Sequence, residues 1–271
     1  MFYQLIALFA LAFVLLTGCA RVPPAAVAPL EAPAQAQTKP LSPPAPPESA
    51  QPLKKAYLTF DDGPNSHFTG LFLDILRQYG VKATFVVVGS NIERNPEVFK
   101  RILAEGHSVV NHTYSHDYKR IYASPEAFLA DLERGSRSMA AFTGTEVKLF
   151  RAPGGPSSLS KNYLALPRQK GYRSLGWNVS SADTDPQGVS PQQIIDNVKN
   201  GVGQVEKANN APVILMHDGA EVNLTAGKPG APANKYIRSR ESDVAALPVI
   251  IEFLQEKGYT LAGFDEDSPL P

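Results

Sequence analysis

AYLTFDDGP, residues 56–64, starts as a strand and ends as a chemical question. Ala56 to Phe60 is a short apolar and aromatic run ahead of turn residues, the pattern of a buried strand. Two carboxylates, Asp61 and Asp62, follow at once, and Gly63-Pro64 then turns the chain. Asp-Asp-Gly-Pro is ordinary turn chemistry when taken alone. What the other strands carry at the same place decides between a turn and a site.

Outward from that run, the chain repeats one unit. Further strands are expected at 83–88, 107–111, 147–150, 172–179, 212–217 and 259–264. Helical patterns fall between most of them, at 67–79, 96–105, 125–142, 160–170, 190–206 and 243–257. Ser124-Pro125 and Ser190-Pro191 read as helix caps followed by first-turn prolines. Gly80, Gly106, Gly171 and Gly258 each stand before a strand, where a helix ends. Strand–helix alternation predicts an α/β fold with a parallel sheet. About seven strands suit a barrel, although an open doubly wound sheet reads much the same.

The ends of these strands share a property. AYLTF leads to Asp61-Asp62, HSVVN to His112 and His116, VKLF to Arg151, YRSLGWNV to Asp183, and PVILM to His217. The carboxyl ends of parallel strands form the functional face of barrels and open sheets alike. His112 and His116 are spaced to share one face of a helical turn. With one carboxylate they make an Asp-His-His set, three ligands that leave positions open for chemistry. Zinc suits such a set, and so does Fe(II). Neighbouring strand residues point to opposite faces, so one aspartate can ligate while the other stays free as a general base. Arg151 can hold that base ionised. An N–H in the Gly154-Gly155 turn can donate to an oxyanion. His217 suits a general acid oriented by Asp183.

The motifs TFDDGP, HTYSH, RAPGG, WNVSSAD and ILMHD, in this order, resemble the polysaccharide deacetylases of carbohydrate esterase family 4, the nodulation-protein-B homology domain. The resemblance covers about 54–263. It implies a distorted (β/α) barrel, a divalent metal (usually zinc, with Co2+, Mn2+, Ni2+ or Fe2+ as substitutes), and hydrolysis of N-acetyl groups on amino-sugar polymers. It makes Asp61 the base, Asp62, His112 and His116 the metal ligands, and Arg151 the residue that positions the base. It gives the oxyanion to Gly154 N–H and the departing amine to His217, with Asp183 behind. Trp177 is core or pocket wall. The chain departs from the family pattern at Ala152, where a proline is common, and at Thr184, where a tryptophan is common. Both positions bear on substrate preference before chemistry.

The remaining segments concern location and substrate. Residues 1–20 are uncharged and apolar and end in Leu16-Thr17-Gly18-Cys19, which resembles a bacterial lipobox with Cys19 as the acylated residue. An uncleaved membrane helix is the alternative. Residues 21–53, rich in Pro and Ala, read as a disordered linker, and 54–271 as the deacetylase domain. Both readings tether the enzyme to the membrane outside the cytoplasm, which points to peptidoglycan as the N-acetylated glycan. Chitin oligomers, an exopolysaccharide, acetylated xylan or an inactive carbohydrate-binding role are the other readings. Lys plus Arg equals Asp plus Glu, 26 each, so nothing favours nucleic acid. One cysteine excludes an internal disulfide. Residues 218–242 lack a period and read as a loop bordering the cleft, with Tyr236, Arg238 and Arg240 as glycan contacts.

Overall fold

The computed structural model describes residues 54–155, 159, 161–184, 188–219, 231–265 and 268, with the backbone alone for 231–236. Cys19, the apolar leader and the proline-rich linker lie outside the described residues. The chain runs β1 (Lys54–Asp61), α1 (Phe68–Gln78), β2 (Thr84–Val87), α2 (Gly89–Arg94), α3 (Pro96–Ala104), β3 (Ser108–Asn111), α4 (Tyr118–Ile121), α5 (Pro125–Thr143), β4 (Leu149–Phe150), α6 (Lys161–Gln169), β5 (Arg173–Ser174), β6 (Val179–Ser180), α7 (Pro191–Lys207), β7 (Val213–His217), α8 (Ala231–Glu256) and β8 (Tyr259–Leu261).

All the strand pairings are parallel. Their order is β5-β4-β3-β2-β1-β7-β6, with β8 joined to β1. The strand expected at 172–179 is in fact two, β5 and β6, and they sit at opposite ends of that path. Only residues 175–178 connect them. Extended chain covers ~3.4 Å per residue, so this link reaches roughly 17 Å. A flat sheet of that many strands at ~4.8 Å spacing would be about 29 Å wide. The sheet therefore curls until its edge strands approach, a half-barrel rather than an open flat sheet, with no pairing between β5 and β6 among the described residues. The handover is visible in the backbone: Leu175 N–H donates to Phe150 O at 2.7 Å, and Asn178 N–H donates to Val213 O at 3.1 Å.

Side-chain alternation separates two cores. Tyr57 points into the barrel with Val86, Val110, Leu149, Leu175, Val213 and Phe264. Leu58 and Phe60 point outward into a larger layer against the helices, with Phe72, Phe85 and Ile250. The period of two thus carries Thr59 and Asp61 inward, to the lumen and its mouth.

The helix signals act as expected. Ser124 Oγ accepts from Ala127 N–H at 3.1 Å, and Ser190 forms a capping box with Gln193. Gly80, Gly106, Gly171 and Gly258 all take positive φ, between 65° and 80°. One expectation is corrected. Residues 231–242 are not loop, because α8 begins at Ala231 rather than at 243. The buried face of α8 runs Leu254, Ile251, Ile250, Leu247 and Ala246, then continues through Asp243, Arg240 and Ser239. Polar residues on the buried face hide the helical period from a hydrophobicity reading. Among the described residues, no helix is long and apolar enough to cross a membrane.

Candidate active site

A cavity of about 500 Å³ opens at the carboxyl ends of the strands. Asp61, Asp62, His112, His116, Gly154, Trp177 and His217 all line it. The structure thus gathers residues from five separate strand ends.

Asp62 Oδ1 lies 3.3 Å from His112 Nε2 and 3.2 Å from His116 Nε2. One ligand atom from each of the three falls within 4.8 Å of the others. His112 Nδ1 lies 2.8 Å from Arg151 O. A carbonyl only accepts, so Nδ1 carries a proton, and Nε2 is the nitrogen that can offer a lone pair to a cation. Burial alone would raise the Asp62 carboxyl, but hydrogen bonding to His112 and the charges of the nearby imidazoles hold it far below the usual carboxylate range. The donor set and its tautomer fit a divalent cation.

Two expectations about local conformation are corrected here. The HTYSH segment is not a helical turn. Thr113 and His116 take left-handed φ, 65° and 53°, and the bent loop is pinned by Asp131. Asp131 Oδ1 accepts from Tyr114 N–H and Ser115 N–H, both at 2.8 Å. Nor do Asp61 and Asp62 diverge by strand pleat. Asp61 is the last residue of β1, and Asp62 leaves the strand with φ 76°. Aspartate tolerates that region better than most residues. Such backbone conformations gather where a site over-determines them.

Asp61 is held separately. Its Oδ1 accepts from Arg151 Nη1 at 2.6 Å. The same Nη1 reaches Thr59 Oγ1 at 2.9 Å, and Nη2 donates to Gly176 O at 2.9 Å. Arg151 is fully buried, with its guanidinium carbon 5.5 Å from the Trp177 ring centre. Asp61 Oδ2 stays 3.9 Å from His112 Nε2, beside the metal-ligand set rather than within it.

On the neighbouring strand β7, level with Asp61, His217 Nδ1 donates to Asp183, 2.9 Å and 3.0 Å from its two oxygens. Burial works against a charged ring, but the Asp183 carboxylate outweighs it and raises His217 to about 9. The ring is therefore protonated at neutral pH and stands ready as an acid. Gly154 is exposed at the mouth with φ 77°. Gly155 has no room for a side chain, since a Cβ there would strike the Trp177 ring. Trp177 is thus part of the cavity wall.

The proposed glycan contacts on α8 fare differently. Arg238 is exposed. The side chain of Tyr236 and the segment 220–230 lie outside the described residues. Arg240 is corrected: it is 1% exposed and faces Asp183 and Asp243, so it is no surface contact. Three further residues around the site have no role read from the sequence, although Asp218 closes the ILMHD motif. Asp131 is one, and its signal is a charge set within the buried stripe Phe128, Leu132 and Gly135 of α5. Asp218 is another, fully buried with Oδ2 accepting from Thr69 Oγ1 at 2.5 Å, and pushed by burial to about 7. Asp243 is the third.

Comparison with known proteins bears on the family and the fold. The Polysaccharide deacetylase family matches residues 48–175. A peptidoglycan-N-acetylglucosamine deacetylase of Bacillus cereus is 30% identical over 223 residues, covering 80% of this chain and 72% of that protein. A chitooligosaccharide deacetylase of Sinorhizobium fredii is 30% identical over 221 residues, covering 82% of this chain and 95% of that protein. Among solved structures, a CE4 esterase of Streptococcus mutans superposes with a TM-score of 0.66 at 25% identity, covering 79% of this chain and 87% of that one.

Proposed function

Because the chain belongs to the polysaccharide deacetylase family, we propose that it hydrolyses N-acetyl groups of peptidoglycan in a metal-dependent reaction. The observation that carries this reading is the meeting of three groups in one cavity. They are the Asp62–His112–His116 set, the Asp61–Arg151 pair and the His217–Asp183 pair. Asp62, His112 and His116 are the residues that would hold the cation, zinc by preference. Bound there, it would supply Lewis acidity and lower the pKa of the attacking water.

The chain's own residues account for the proton transfers. Asp61, held in place by Arg151, takes a proton from water as the water oxygen bonds to the acetyl carbon. Gly154 N–H donates to the oxygen that gains charge. His217 then gives its Nε2 proton to the nitrogen as the C–N bond breaks, while Asp183 holds Nδ1–H and keeps the ring aimed. The products are acetate and a free amino sugar. Asp61 and His217 are separate groups at the paired ends of β1 and β7, so the base and the acid need not exchange places.

Peptidoglycan is favoured over chitin oligomers by the sequence of the N-terminus. Residues 1–20 and Cys19 suit export and lipid attachment, and 21–53 suit a spacer, which would place the catalytic domain outside the cytoplasm near the cell wall. Chitooligosaccharide remains the second reading, favoured by the relative of that name. The test uses the full chain in detergent, loaded with zinc, on peptidoglycan, chitooligosaccharides and acetylated xylan. Acetate release is measured, and mass spectrometry locates the new amine. A free amine on peptidoglycan sugars supports the proposal, acetate from chitooligosaccharide alone moves the substrate to the second reading, and no acetate from any of them overturns the enzyme.

A further inference from the structure

Arg240 lies outside the five motifs, yet it is among the most deeply buried charges in the protein. It is 1% exposed, and Asp183 and Asp243 beside it are 1% and 0% exposed. Its Nη1 lies 3.3 Å from Asp183 Oδ2, and its Nη2 donates to the Asp183 main-chain carbonyl at 3.3 Å. One planar fork thus meets both ends of the same residue, the carboxylate as an ion pair and the main chain through a hydrogen bond. On its other side, Nε lies 3.4 Å from Asp243 Oδ2. Burial and the Asp183 charge push the Asp243 carboxyl up, while Asp183 is held well below the usual range. The cation therefore serves Asp183 first.

The turn that carries Asp183 needs such a hold. Ala182, just before it, takes φ 56°, a region that a side chain with Cβ enters at a cost. Ser180 Oγ accepts from Ala182 N–H at 3.1 Å, and Asn197 Nδ2 donates to Ser181 O at 2.9 Å. Neither bond fixes the Asp183 carboxylate. Arg240 faces it from α8, beside the bonds that His217 makes to it. Asp183 then passes that orientation to His217, 2.9 Å away.

We infer that Arg240 is a positioning residue for the acid: it locks Asp183 by side chain and main chain, and Asp183 in turn aims His217 into the cleft. The inference rests on the deacetylase reading for its catalytic consequence, but the geometry it asserts can be observed without turnover.

The test compares wild type, Arg240→Lys, and the double variant Arg240→Met with Asp243→Asn. The double variant removes the Arg240 cation together with the carboxyl that faces its Nε, and leaves Asp183 its contact with His217. We expect its melting temperature to stay near wild type, kcat to fall about 10- to 100-fold and KM to change less than about threefold. Lysine keeps the charge but cannot grip both Asp183 groups, so Arg240→Lys falls between. In the metal-free protein, long-range 1H–15N spectra of the histidine rings report the His217 Nδ1–H bond directly. That signal should be present in wild type and lost or shifted in the double variant. A folded double variant with wild-type kcat, or one whose His217 signal is unchanged, overturns the inference. Should wild type release no acetate, the deacetylase reading fails instead, and the spectra still decide the role of Arg240.

Discussion

Gly135 sits in the middle of α5, where alanine would normally stabilise a helix by about 0.5–1 kcal/mol. We predict the opposite sign. A Cβ at this position would lie 2.5 Å from Asn111 Oδ1 and 3.0 Å from both C and O of Thr113. Asn111 has little freedom to retreat, because its Nδ2 donates to Leu132 O at 2.8 Å. Thr113 is backbone, in the loop between His112 and His116. Overpacking of this kind costs about 1–3 kcal/mol. Set against the helix gain, Gly135→Ala should lose about 1–2 kcal/mol. In a domain of this size that lowers Tm by roughly 2–8 °C. The loop must move to make room, so zinc affinity should also fall, by about tenfold. Gly203 in α7 is the control: a Cβ there meets nothing within 4 Å, so Gly203→Ala should gain up to about 1 kcal/mol. Urea denaturation and a competitive zinc titration measure both effects. A Gly135→Ala protein as stable as Gly203→Ala, with unchanged zinc affinity, would refute the packing argument.

Other outcomes follow from the same site. Asp61→Asn should still show a zinc-dependent rise in Tm, because Asp61 stands beside the metal-ligand set, yet lose roughly 10²–10⁴ in kcat; loss of the zinc response would place Asp61 among the ligands. His217 has its folded pKa raised to about 9 from 6.5, so its contribution to stability is full below 6.5 and is lost as pH rises through 9. Denaturation of metal-free protein from pH 6 to 10 should show that decline, and Asp183→Asn should remove it. Tyr118 lines the cavity, is 49% exposed and sits 5.5 Å from the His116 ring. Tyr118→Ala should raise KM for long glycans by roughly three- to tenfold and leave kcat nearly unchanged; equal KM values would remove Tyr118 from the binding surface.

The residues that carry charge at strand ends were legible because a parallel sheet puts all those ends on one side. Asp61, Asp62, His112, His116, Arg151, Asp183 and His217 could be placed together without knowing how the backbone bends between them. The bends themselves were not legible. HTYSH has helical spacing, but Asp131, in a distant helix, ties two of its N–H groups into a different loop. Likewise 172–179 has strand composition throughout, and the closing of the sheet interrupts it over 175–178, where Arg151 bonds to Gly176 O. The first half of α8 stayed hidden because Asp243 and Arg240 occupy positions where core helices carry aliphatic side chains. In each case a long-range polar contact overrode a local pattern, and a single sequence does not say which partner a buried charge will find.

The short strap at 175–178 does more than join two strands. No ladder runs between β5 and β6, and the indole of Trp177 borders the pocket from a segment tied to neighbouring strands only at its two ends, Leu175 and Asn178, and by Arg151 at Gly176. Exchanging side chains there would widen or narrow the entrance while leaving every register in the barrel intact. A scaffold hinged in this way can drift between glycans of different girth without first having to loosen its own staves.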